Sequence, residues 1–489
     1  MIPARAWPAL LAALGALQTL AFVHTAAWLL PLAGAAVLAA ACARATPRRA
    51  ALHGWCYGFG WLVAGTWWLF ISMHRYGGLP APLAAAAVAA LAGFLSLYLA
   101  AAMAAFARWR RGHVAADAAL FAALWLLAEL APGVLFTGFP WVAAGYAQVD
   151  GPLAPLAPWV GVYGIGAWGA FAAALAASLR PVALGAAAAL VAAPLVLSAQ
   201  SFSTPVGTVS VALLQTNVAQ DEKFAAERMP ETLSWLGRAL VDAQAELVVA
   251  PETAVPLLPF QLADAAPGYW DALREHFAKP GRAALVGVPL GDAEAGYTNS
   301  VAGFADGPLY RYDKHHLVPF GEFIPTGFRW FTEMMNIPLG DFARGPRVPP
   351  PFRVLGQRLA PNICYEDLFG EELAARFAEP LQAPTLMVNI SNIGWFGDTI
   401  AIDQHLAISR LRALEFERPM IRATNTGATA VVDHRGRVAQ LLPTFTRGVL
   451  VARVEGREGS TPFAWWASRA GLWPFGVLAG LVVVALRRR

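Results

Sequence analysis

Charged residues are scarce in this 489-residue chain: they make up 14% of it, and the mean hydropathy is +0.49. An average soluble chain carries about 25% charged residues, so much of this protein is expected to lie in lipid. Lysine is especially rare and occurs only at Lys223, Lys279 and Lys314. Because only lysine readily exchanges its proton when desolvated, a lysine beside candidate catalytic groups is mildly informative. The net charge of +4 is too small and dispersed to indicate a nucleic-acid partner.

Cysteine is also scarce, and Cys364 is the only one of three outside the strongly apolar N-terminal half. It has no local partner for a disulfide, and neither C-x-x-C nor Cys/His metal spacing surrounds it. A free cysteine is most often a small buried hydrophobe. Here, however, the apolar run 359–363 delivers the cysteine between Asn362 and the acidic pair Glu366-Asp367, an unusual environment for a packing residue.

Acidic residues are almost absent from the first 200 residues, which contain only Asp117, Glu129 and Asp150. This region breaks into apolar runs of the length that crosses a bilayer, about 20 residues each. We predict helices at about 8–24, 26–43, 54–73, 82–106, 114–131, 159–179, 181–198 and, near the end of the chain, 470–486. The first run resembles a signal peptide, but a second follows with no convincing cleavage context, so we interpret it as a retained helix.

Arginines predict the orientation of these helices, because cytoplasmic ends carry an excess of positive charge. With Met1 inside, most arginines fall on inward-facing ends: Arg5, Arg44, Arg48, Arg49, Arg108, Arg110, Arg111 and Arg180. Seven crossings then place residue 200 on the outer face, and the last helix returns the basic tail 487–489 to the inside. Glu129 would be costly if it faced lipid, so we expect it to point into the bundle.

Residues 205–455 have a different pattern, in which short β-rich runs alternate with charged helical stretches. We predict strands at 209–215, 247–250, 284–288, 299–304, 359–363, 385–390, 428–432 and 448–451, and helices at 231–245, 269–278, 371–378 and 403–417. Such alternation predicts an α/β layered fold with both sheet faces covered. The expected domains are a seven-helix domain (1–200), an outer catalytic domain (205–455) and a C-terminal helix with its tail (462–489).

Three strand ends in this outer domain finish in polar groups, at Glu252, in the run that contains Lys314, and at Cys364. Taken singly, a glutamate after a strand is often only a solvated loop residue. The adjacent pair His315-His316 would point to opposite sides of an extended chain and lacks ligand spacing, so we do not expect a metal there.

Together, a cysteine, a glutamate and a lysine at strand ends form a possible nucleophilic constellation. A thiol is a weak nucleophile until it is deprotonated, and a carboxylate in a partly dry site can accept that proton. An ammonium beside both would favour the thiolate. It would later hold the oxyanion of a tetrahedral intermediate, together with the backbone N–H of Tyr365.

Three motifs resemble the catalytic motifs of the nitrilase superfamily, in the required order: 251–253, 314–322 and 363–366. Over nearly the full length the chain resembles the apolipoprotein N-acyltransferase family, through segments 137–141, 150–153, 395–398, 404–406 and 422–427. The resemblance implies an α-helical transmembrane bundle of eight helices plus an α/β nitrilase-like sandwich with α-β-β-α layers. It also implies a multi-pass protein of the bacterial inner membrane, with a periplasmic catalytic domain and both termini cytoplasmic.

The resemblance further implies a triad of Glu252, Lys314 and Cys364. Cys364 would take an acyl chain from a membrane phospholipid as a thioester and pass it to the α-amino group of a diacylated apolipoprotein. No cofactor and no metal are implied. The resemblance also implies supporting acids and aromatic residues that shape substrate entry, namely Glu322 and Glu366, and Tyr365 and Trp395.

Two loops depart from the family pattern. Asn392-Ile393-Gly394-Trp395 stands where the family commonly has Asn-Asp-Ala-Trp, and Phe224 stands where a tryptophan is often found. Neither change touches the triad, but both lie in loops expected to affect substrate handling.

Two other functions remain open. A membrane-anchored nitrilase-type amidase would use the same triad on a small amide, but it would have no need of the apolar segment 137–158. A channel or receptor with a degenerate outer domain is the non-enzymatic alternative, and the sparse intramembrane charge argues against it. A fatty-acyl adduct on Cys364 would favour transfer over both.

Overall fold

The computed structural model describes residue 3 and residues 5–292, 294, 296–333 and 341–487. The chain divides into two compact units. The helical unit comprises Met1–Phe70, Pro80–Gln200 and Arg469–Arg489, and the sheet unit comprises Ile71–Leu79 and Ser201–Ser468. The last two residues of the predicted basic tail, Arg488 and Arg489, lie outside the described residues.

The α-helices are listed here in chain order for both units. They are α1 (Trp7–Leu17), α2 (Leu20–Val23), α3 (Leu29–Ala43), α4 (Pro47–Thr66), α5 (Leu69–Ile71), α6 (Ala81–Trp109), α7 (Val114–Val134), α8 (Ala157–Ala176), α9 (Pro181–Ala192), α10 (Met229–Asp242), α11 (Pro259–Ala265), α12 (Tyr269–Phe277), α13 (Arg329–Glu333), α14 (Gly370–Ala374), α15 (Ala401–Phe416), α16 (Pro462–Ala470) and α17 (Trp473–Leu486). Each of the eight predicted apolar segments therefore contains helix.

Fewer of these helices meet the requirements of a membrane span. Within the described residues, five are long and apolar enough: Thr25–Ala43, Ala81–Trp109, Val114–Thr137, Ala154–Ala176 and Pro181–Ala199. The pair α16 and α17 would make a sixth if counted as one span, but it is bent by 87°. The first predicted span is a shorter apolar helix over Trp7–Val23. The third corresponds to α4, which begins with charged residues and is rich in glycine and aromatic side chains.

Glu129 on α7 points into the helical unit, as predicted. It is buried, and its Oε1 accepts a hydrogen bond of 2.8 Å from the backbone N–H of Ala144. The facing residue on α8 is Gly166, where a Cβ would lie only 2.5 Å from the second carboxyl oxygen. The absence of a side chain at Gly166 thus makes room for the buried carboxyl group.

The sheet unit is built on twelve strands in the described part of the chain. They are β1 (Ser203–Gln215), β2 (Leu247–Val249), β3 (Ala283–Asp292), β4 (Gly296–Phe304), β5 (Tyr310–Asp313), β6 (Phe352–Val354), β7 (Gln357–Ile363), β8 (Leu386–Ser391), β9 (Met420–Thr424), β10 (Ala430–Val432), β11 (Val438–Leu441) and β12 (Gly448–Gly459). They form two sheets, with strand orders β12-β1-β2-β3-β4-β5 and β11-β10-β9-β8-β7-β6.

Both sheets have a parallel centre with antiparallel edges. Strands β1, β2 and β3 run parallel, as do β7, β8 and β9, while their outer neighbours are antiparallel. Parallel strands need covering on both faces, which agrees with their nearly continuous apolar sequences.

Packing of the sheets produces four layers. In β1, Val211 and Leu213 belong to the core between the two sheets, whereas Ala212 and Leu214 face the helices on the outer side. This alternation is the two-residue period of a strand. Helices α10 and α12 cover the first sheet, and α15 and α16 cover the second. The α-β-β-α sandwich predicted for this domain is therefore present, and its strand ends carry the polar groups considered next.

Candidate active site

Lys314 lies between two carboxylates. It directly follows β5 and is almost fully buried, at 1% exposure. Its Nζ lies 2.9 Å from both carboxyl oxygens of Glu322 and 3.8 Å from Oε1 of Glu252. Burial lowers the pKa of Lys314, but the negative charges of Glu322 and Glu252 outweigh burial, so the pKa is raised overall. Lys314 is therefore a permanent ammonium rather than a proton donor.

Glu252, in the turn after β2, is held by amides on both oxygens. Oε1 accepts 2.8 Å from the side chain of Asn299, and Oε2 accepts 2.7 Å from the backbone N–H of Asn392. The Asn299 amide also donates to Glu322 at 2.6 Å. Asn299 thus bridges the two acids and fixes their separation around Lys314.

Cys364 occupies the first position after β7, in a left-handed backbone conformation with φ +52°. A non-glycine residue in this region costs about 1–3 kcal/mol and persists only where the surroundings enforce it. Here the backbone carbonyl oxygen accepts from the Asn389 side chain at 3.3 Å and from Nε2 of His405 at 3.2 Å. These two hydrogen bonds hold the backbone of Cys364 in this conformation.

The charges of Glu252 and Lys314, the other two members of the predicted triad, both act on the Cys364 thiol. Burial, and after it the charge of Glu252, raises the pKa of Cys364 to about 12, although Lys314 and the Ser391 hydroxyl act in the opposite direction. At neutral pH the residue is therefore a thiol, and it needs a base to become a nucleophile. Glu252, whose charge acts directly on it, is the carboxylate in position to serve.

Glu366 fixes the turn that carries the cysteine. Its Oε2 accepts from the backbone N–H of Ile363 at 2.7 Å and from the Tyr312 hydroxyl, and its Oε1 accepts from the N–H groups of His315 and His316 at 2.8 and 3.2 Å. One carboxylate thereby ties the end of β7 to the segment after Lys314. Predicted as a supporting acid, Glu366 acts on the backbone that bears the reactive groups.

A second buried network lies behind Cys364. His405 Nε2 contacts Asp367 Oδ1 at 3.0 Å, and Arg422 donates to Asp367 Oδ2 at 3.2 Å and reaches His405 Nδ1 at 3.1 Å. The Cys364 carbonyl oxygen can only accept, so Nε2 of His405 carries a hydrogen and donates it to this oxygen. His405 thus connects this network to the backbone of Cys364, and none of the three residues was predicted as a site residue.

The two aromatic residues predicted at the site have different surroundings. Tyr365 is buried, and its ring packs 5.3 Å from Phe369 and 5.7 Å from His316, centroid to centroid. Trp395 is half-buried and makes an edge contact with Tyr76 at 5.6 Å. Only Trp395 therefore has surface available for a large substrate.

The histidine pair has structural partners. His315 Nδ1 contacts the Gly345 carbonyl at 2.8 Å, and His316 stacks on Phe369 and contacts Glu372 at 3.1 Å. Over the residues that the structure describes, no group of three or more His, Cys, Asp or Glu side chains is arranged to hold a metal ion.

The departure from the family pattern at residues 393 and 394 directly follows Asn392, whose backbone N–H donates to Glu252. Ile393 is buried and packs beside Gly427. A Cβ at Gly394 would lie 3.2 Å from Oδ1 of Asn392, the residue whose backbone N–H holds Glu252. A side chain at residue 394 would therefore lie close to the amide of Asn392.

Several contributors were missed by sequence reasoning: Asn299, Asn392, Ser391, His405, Arg422 and Lys223. Asn299 and Ser391 carry no distinctive signal in one sequence. His405, Arg422 and Asn392 lie in segments that resemble the family, and Lys223 is one of only three lysines in the chain.

Taken together, the strand ends hold a thiol, a carboxylate and an ammonium in a largely buried site suited to acyl chemistry through a covalent intermediate. The two mixed sheets and this site define a carbon–nitrogen hydrolase type of enzyme, and residues 210–463 match the carbon–nitrogen hydrolase family model. Residues 14–175 match the model of the apolipoprotein N-acyltransferase N-terminal domain. The chain belongs to the apolipoprotein N-acyltransferase family.

Relatives over most of the chain carry that family's name. An apolipoprotein N-acyltransferase of Verminephrobacter eiseniae (strain EF01-2) is 58% identical over 87% of this chain and 84% of the relative. One of Ralstonia nicotianae (strain ATCC BAA-1114 / GMI1000) is 48% identical over 98% and 93%. Among solved structures, a carbon–nitrogen hydrolase from Helicobacter pylori G27 is 18% identical, with a TM-score of 0.37, over 55% of this chain and 94% of that chain.

Proposed function

We propose that this protein transfers a fatty-acyl chain from a membrane phospholipid to the α-amino group of the diacylglyceryl-cysteine at the start of apolipoproteins, with Cys364 as the carrier. Family membership supports the reaction. The observation that carries the assignment of residues is the meeting of three strand ends. A buried ammonium at Lys314 lies beside Glu252, and the charges of both act on the Cys364 thiol.

In the first half-reaction, Glu252 accepts the thiol proton as sulfur attacks the ester carbonyl carbon of the phospholipid. The Lys314 ammonium and the backbone N–H of Tyr365 hold the oxyanion that forms. Collapse breaks the ester C–O bond, and the proton on Glu252 passes to the departing glyceryl oxygen. Lysophospholipid leaves, and the acyl chain stays on Cys364 as a thioester.

In the second half-reaction, the neutral α-amino group of the apolipoprotein attacks the thioester carbon. A C–N bond forms and the C–S bond breaks, while the proton lost by the amine passes through Glu252 to the sulfur. The thiol is regenerated. Because the acyl chain is held on Cys364 between the two half-reactions, we expect ping-pong kinetics.

The other predicted residues take supporting roles in this proposal. Glu322 holds Lys314 in place, and Glu366 holds the turn of Cys364. The ring of Tyr365, the residue after the nucleophile, packs against Phe369. Trp395 offers a partly exposed face to the incoming lipidated substrate.

A membrane setting agrees with the substrates. Extracting an acyl chain from a bilayer costs about 0.8 kcal/mol per CH₂, a cost avoided if donor and acceptor stay at the lipid surface. We propose eight spans, with α1 and α4 completing the seven that precede residue 200. The proposed domains are 1–200, 205–455 and 462–489. The catalytic domain faces the periplasm, and both termini are cytoplasmic.

Purified protein in mixed micelles of labelled phospholipid and a diacylated lipopeptide tests the proposal. Cys364→Ser, Glu252→Gln and Lys314→Met should each lower formation of triacylated lipopeptide about 1,000-fold or more, as expected for groups that act as a unit. Cys56→Ser, a cysteine of α4, is the matched control and should keep wild-type activity.

The amidase alternative gives the opposite result in the same assay. That enzyme would release ammonia from small amides and leave the lipopeptide unmodified. Full activity of Cys364→Ser in acylation of the lipopeptide would rule out the carrier role.

A further inference from the structure

A second lysine points into the site from the loop after β1. Lys223 is buried, at 6% exposure, although its neighbours Glu222 and Phe224 are exposed. Its Nζ donates a hydrogen bond of 3.0 Å to the backbone carbonyl of Glu252. A buried ammonium is costly unless nearby negative charge compensates it, so we expect negatively charged groups close to Lys223.

The partners of Lys223 are the groups of the site. Glu252 and Cys364 are the charged or titratable side chains that act on it. Within the described residues, the Glu252 carbonyl is the one hydrogen-bond acceptor of its Nζ. The acids of its own loop point elsewhere: Asp221 pairs with Arg75, and Glu222 pairs with Arg228.

Counting charge explains why a second cation is useful. Glu252 and Glu322 already place two carboxylates around the single ammonium of Lys314. Transfer of the thiol proton to Glu252 moves negative charge from the carboxylate to the sulfur without removing it, so one negative charge of the site stays unbalanced by Lys314. An additional positive charge near Glu252 and Cys364 would restore the balance.

We propose that Lys223 is a second cation of the active site, which stabilises the negative charge shared by Glu252 and Cys364 when the thiol ionises. This inference deepens the proposed function and rests on it only in taking Cys364 as the nucleophile. Burial lowers the pKa of Lys223 to about 8, against the opposing effect of Glu252 and Cys364. The charge it supplies is therefore present at neutral pH and lost in mildly alkaline solution.

The rate at which methyl methanethiosulfonate modifies Cys364 tests this charge without any lipid. The reagent reacts with the thiolate, and peptide mass spectrometry of the full-length protein separates Cys364 from Cys42 and Cys56. For the wild type, the logarithm of the rate should rise with pH from 6, flatten near pH 8 as Lys223 loses its proton, and rise again up to 9.5.

Lys223→Gln separates charge from positioning, because glutamine retains an N–H donor for the Glu252 carbonyl. This variant should give a line of unit slope, about tenfold below the wild type at pH 6.5, which corresponds to one pKa unit of the thiol. The two curves should converge above pH 9. Lys279→Gln, at an exposed lysine, is the control and should reproduce the wild-type curve.

Three results would overturn the proposal. They are a wild-type profile with no break near pH 8, a Lys223→Gln rate equal to wild type at pH 6.5, and a deficit that is constant at every pH, which would indicate displacement of the loop. The first needs no variant and stands even if Lys223→Gln does not fold. Failure of lipopeptide acylation would instead count against the proposed function.

Discussion

Lys314 has its shortest contacts with Glu322, at 2.9 Å to both oxygens, and lies 3.8 Å from Glu252. Glu322 is therefore the nearer anion of the ammonium and fixes its position more closely than Glu252 does.

Glu322→Gln should destabilise the sheet unit and impair catalysis. Removing one partner of a buried ion pair costs about 3 kcal/mol, which is a fall of roughly 6–12 °C in the thermal midpoint for a domain of this size. Displacement of Lys314 should lower acyl transfer about 100-fold. Unfolding followed by tryptophan fluorescence and the lipopeptide assay measure the two effects.

Glu222→Gln is the matched control for this change, because Glu222 forms a half-exposed ion pair with Arg228 at 3.5 Å. Such pairs contribute about 0–1 kcal/mol. Equal midpoints for the two variants would contradict the role assigned to Glu322.

Asp367 makes the free energy of unfolding of the sheet unit depend on pH. Burial raises the pKa of Asp367, but His405, Arg422 and Ser409 outweigh burial, so the pKa lies below its usual value. A carboxyl group with a depressed pKa contributes stability above its unfolded value of about 3.9, and this contribution is lost as the pH falls through the folded value.

The thermal midpoint of Asp367→Asn should accordingly lie below that of the wild type from pH 5 to 8, and the gap should narrow below about pH 4. Thermal unfolding at several pH values measures it. A gap that stays constant down to pH 3 would show that the charge of Asp367 is not responsible.

At the residue scale, the sequence permitted the prediction of groups that directly follow apolar strands. Cys364 and Glu252 come at the ends of buried runs, where the edge of a sheet gathers side chains. Asn299 lies inside β4, and Asn392 acts through its backbone N–H, so neither shows a pattern in the sequence. Their roles depend on strands that are far apart in the chain.

At the element scale, apolar strands were predicted and polar ones were missed. The eight predicted β-rich runs correspond to strands with shifted ends, whereas β5, β6, β9 and β11 were not predicted. Strand β9 contains the fully buried Arg422, and β5 reads Tyr-Arg-Tyr-Asp. Tertiary ion pairs and hydrogen bonds, which a local pattern does not reveal, allow these polar sequences to form strands.

Tyr312 connects β5 by a hydrogen bond to the turn that begins at Cys364. Its buried hydroxyl donates to Glu366 and lies 3.1 Å from Arg376. Tyr312→Phe should lower stability by about 1–2 kcal/mol, because the buried Glu366 loses one donor. It should also slow the modification of Cys364 by methyl methanethiosulfonate, since the turn becomes less fixed.

Tyr310→Phe, on the same strand, provides the comparison. The Tyr310 hydroxyl donates to the Pro350 carbonyl at 2.9 Å, at a more exposed position. Its removal should cost less stability and leave the reactivity of Cys364 unchanged. A larger effect at Tyr310 than at Tyr312 would contradict the role given to Glu366 in holding the turn.

At the scale of the whole molecule, the positions of the apolar helices were predicted well, whereas five or six of the described helices, not eight, are long and apolar enough to cross a membrane. Helix α4 and the broken pair α16 and α17 show that an apolar run predicts helix more surely than it predicts a straight span. The proposed orientation follows from the arginine distribution and can be tested separately.

Reporter fusions in a bacterial host test this orientation. Alkaline phosphatase, active only in the periplasm, should be active when inserted after Gly307, in an exposed turn of the sheet unit. A green fluorescent protein fused at the C-terminus should fluoresce, because that end is expected in the cytoplasm. Inactive phosphatase at residue 307 would contradict the proposed orientation and place the sheet unit in the cytoplasm.

The acyl-enzyme itself is the most direct test of the central claim. Purified protein is incubated with phospholipid labelled in its acyl chain, and the peptide that contains Cys364 is analysed before and after addition of a diacylated lipopeptide. We expect a hydroxylamine-sensitive acyl group on Cys364 that disappears as triacylated lipopeptide forms. Acylation of the lipopeptide with no acyl group ever detected on Cys364 would contradict it.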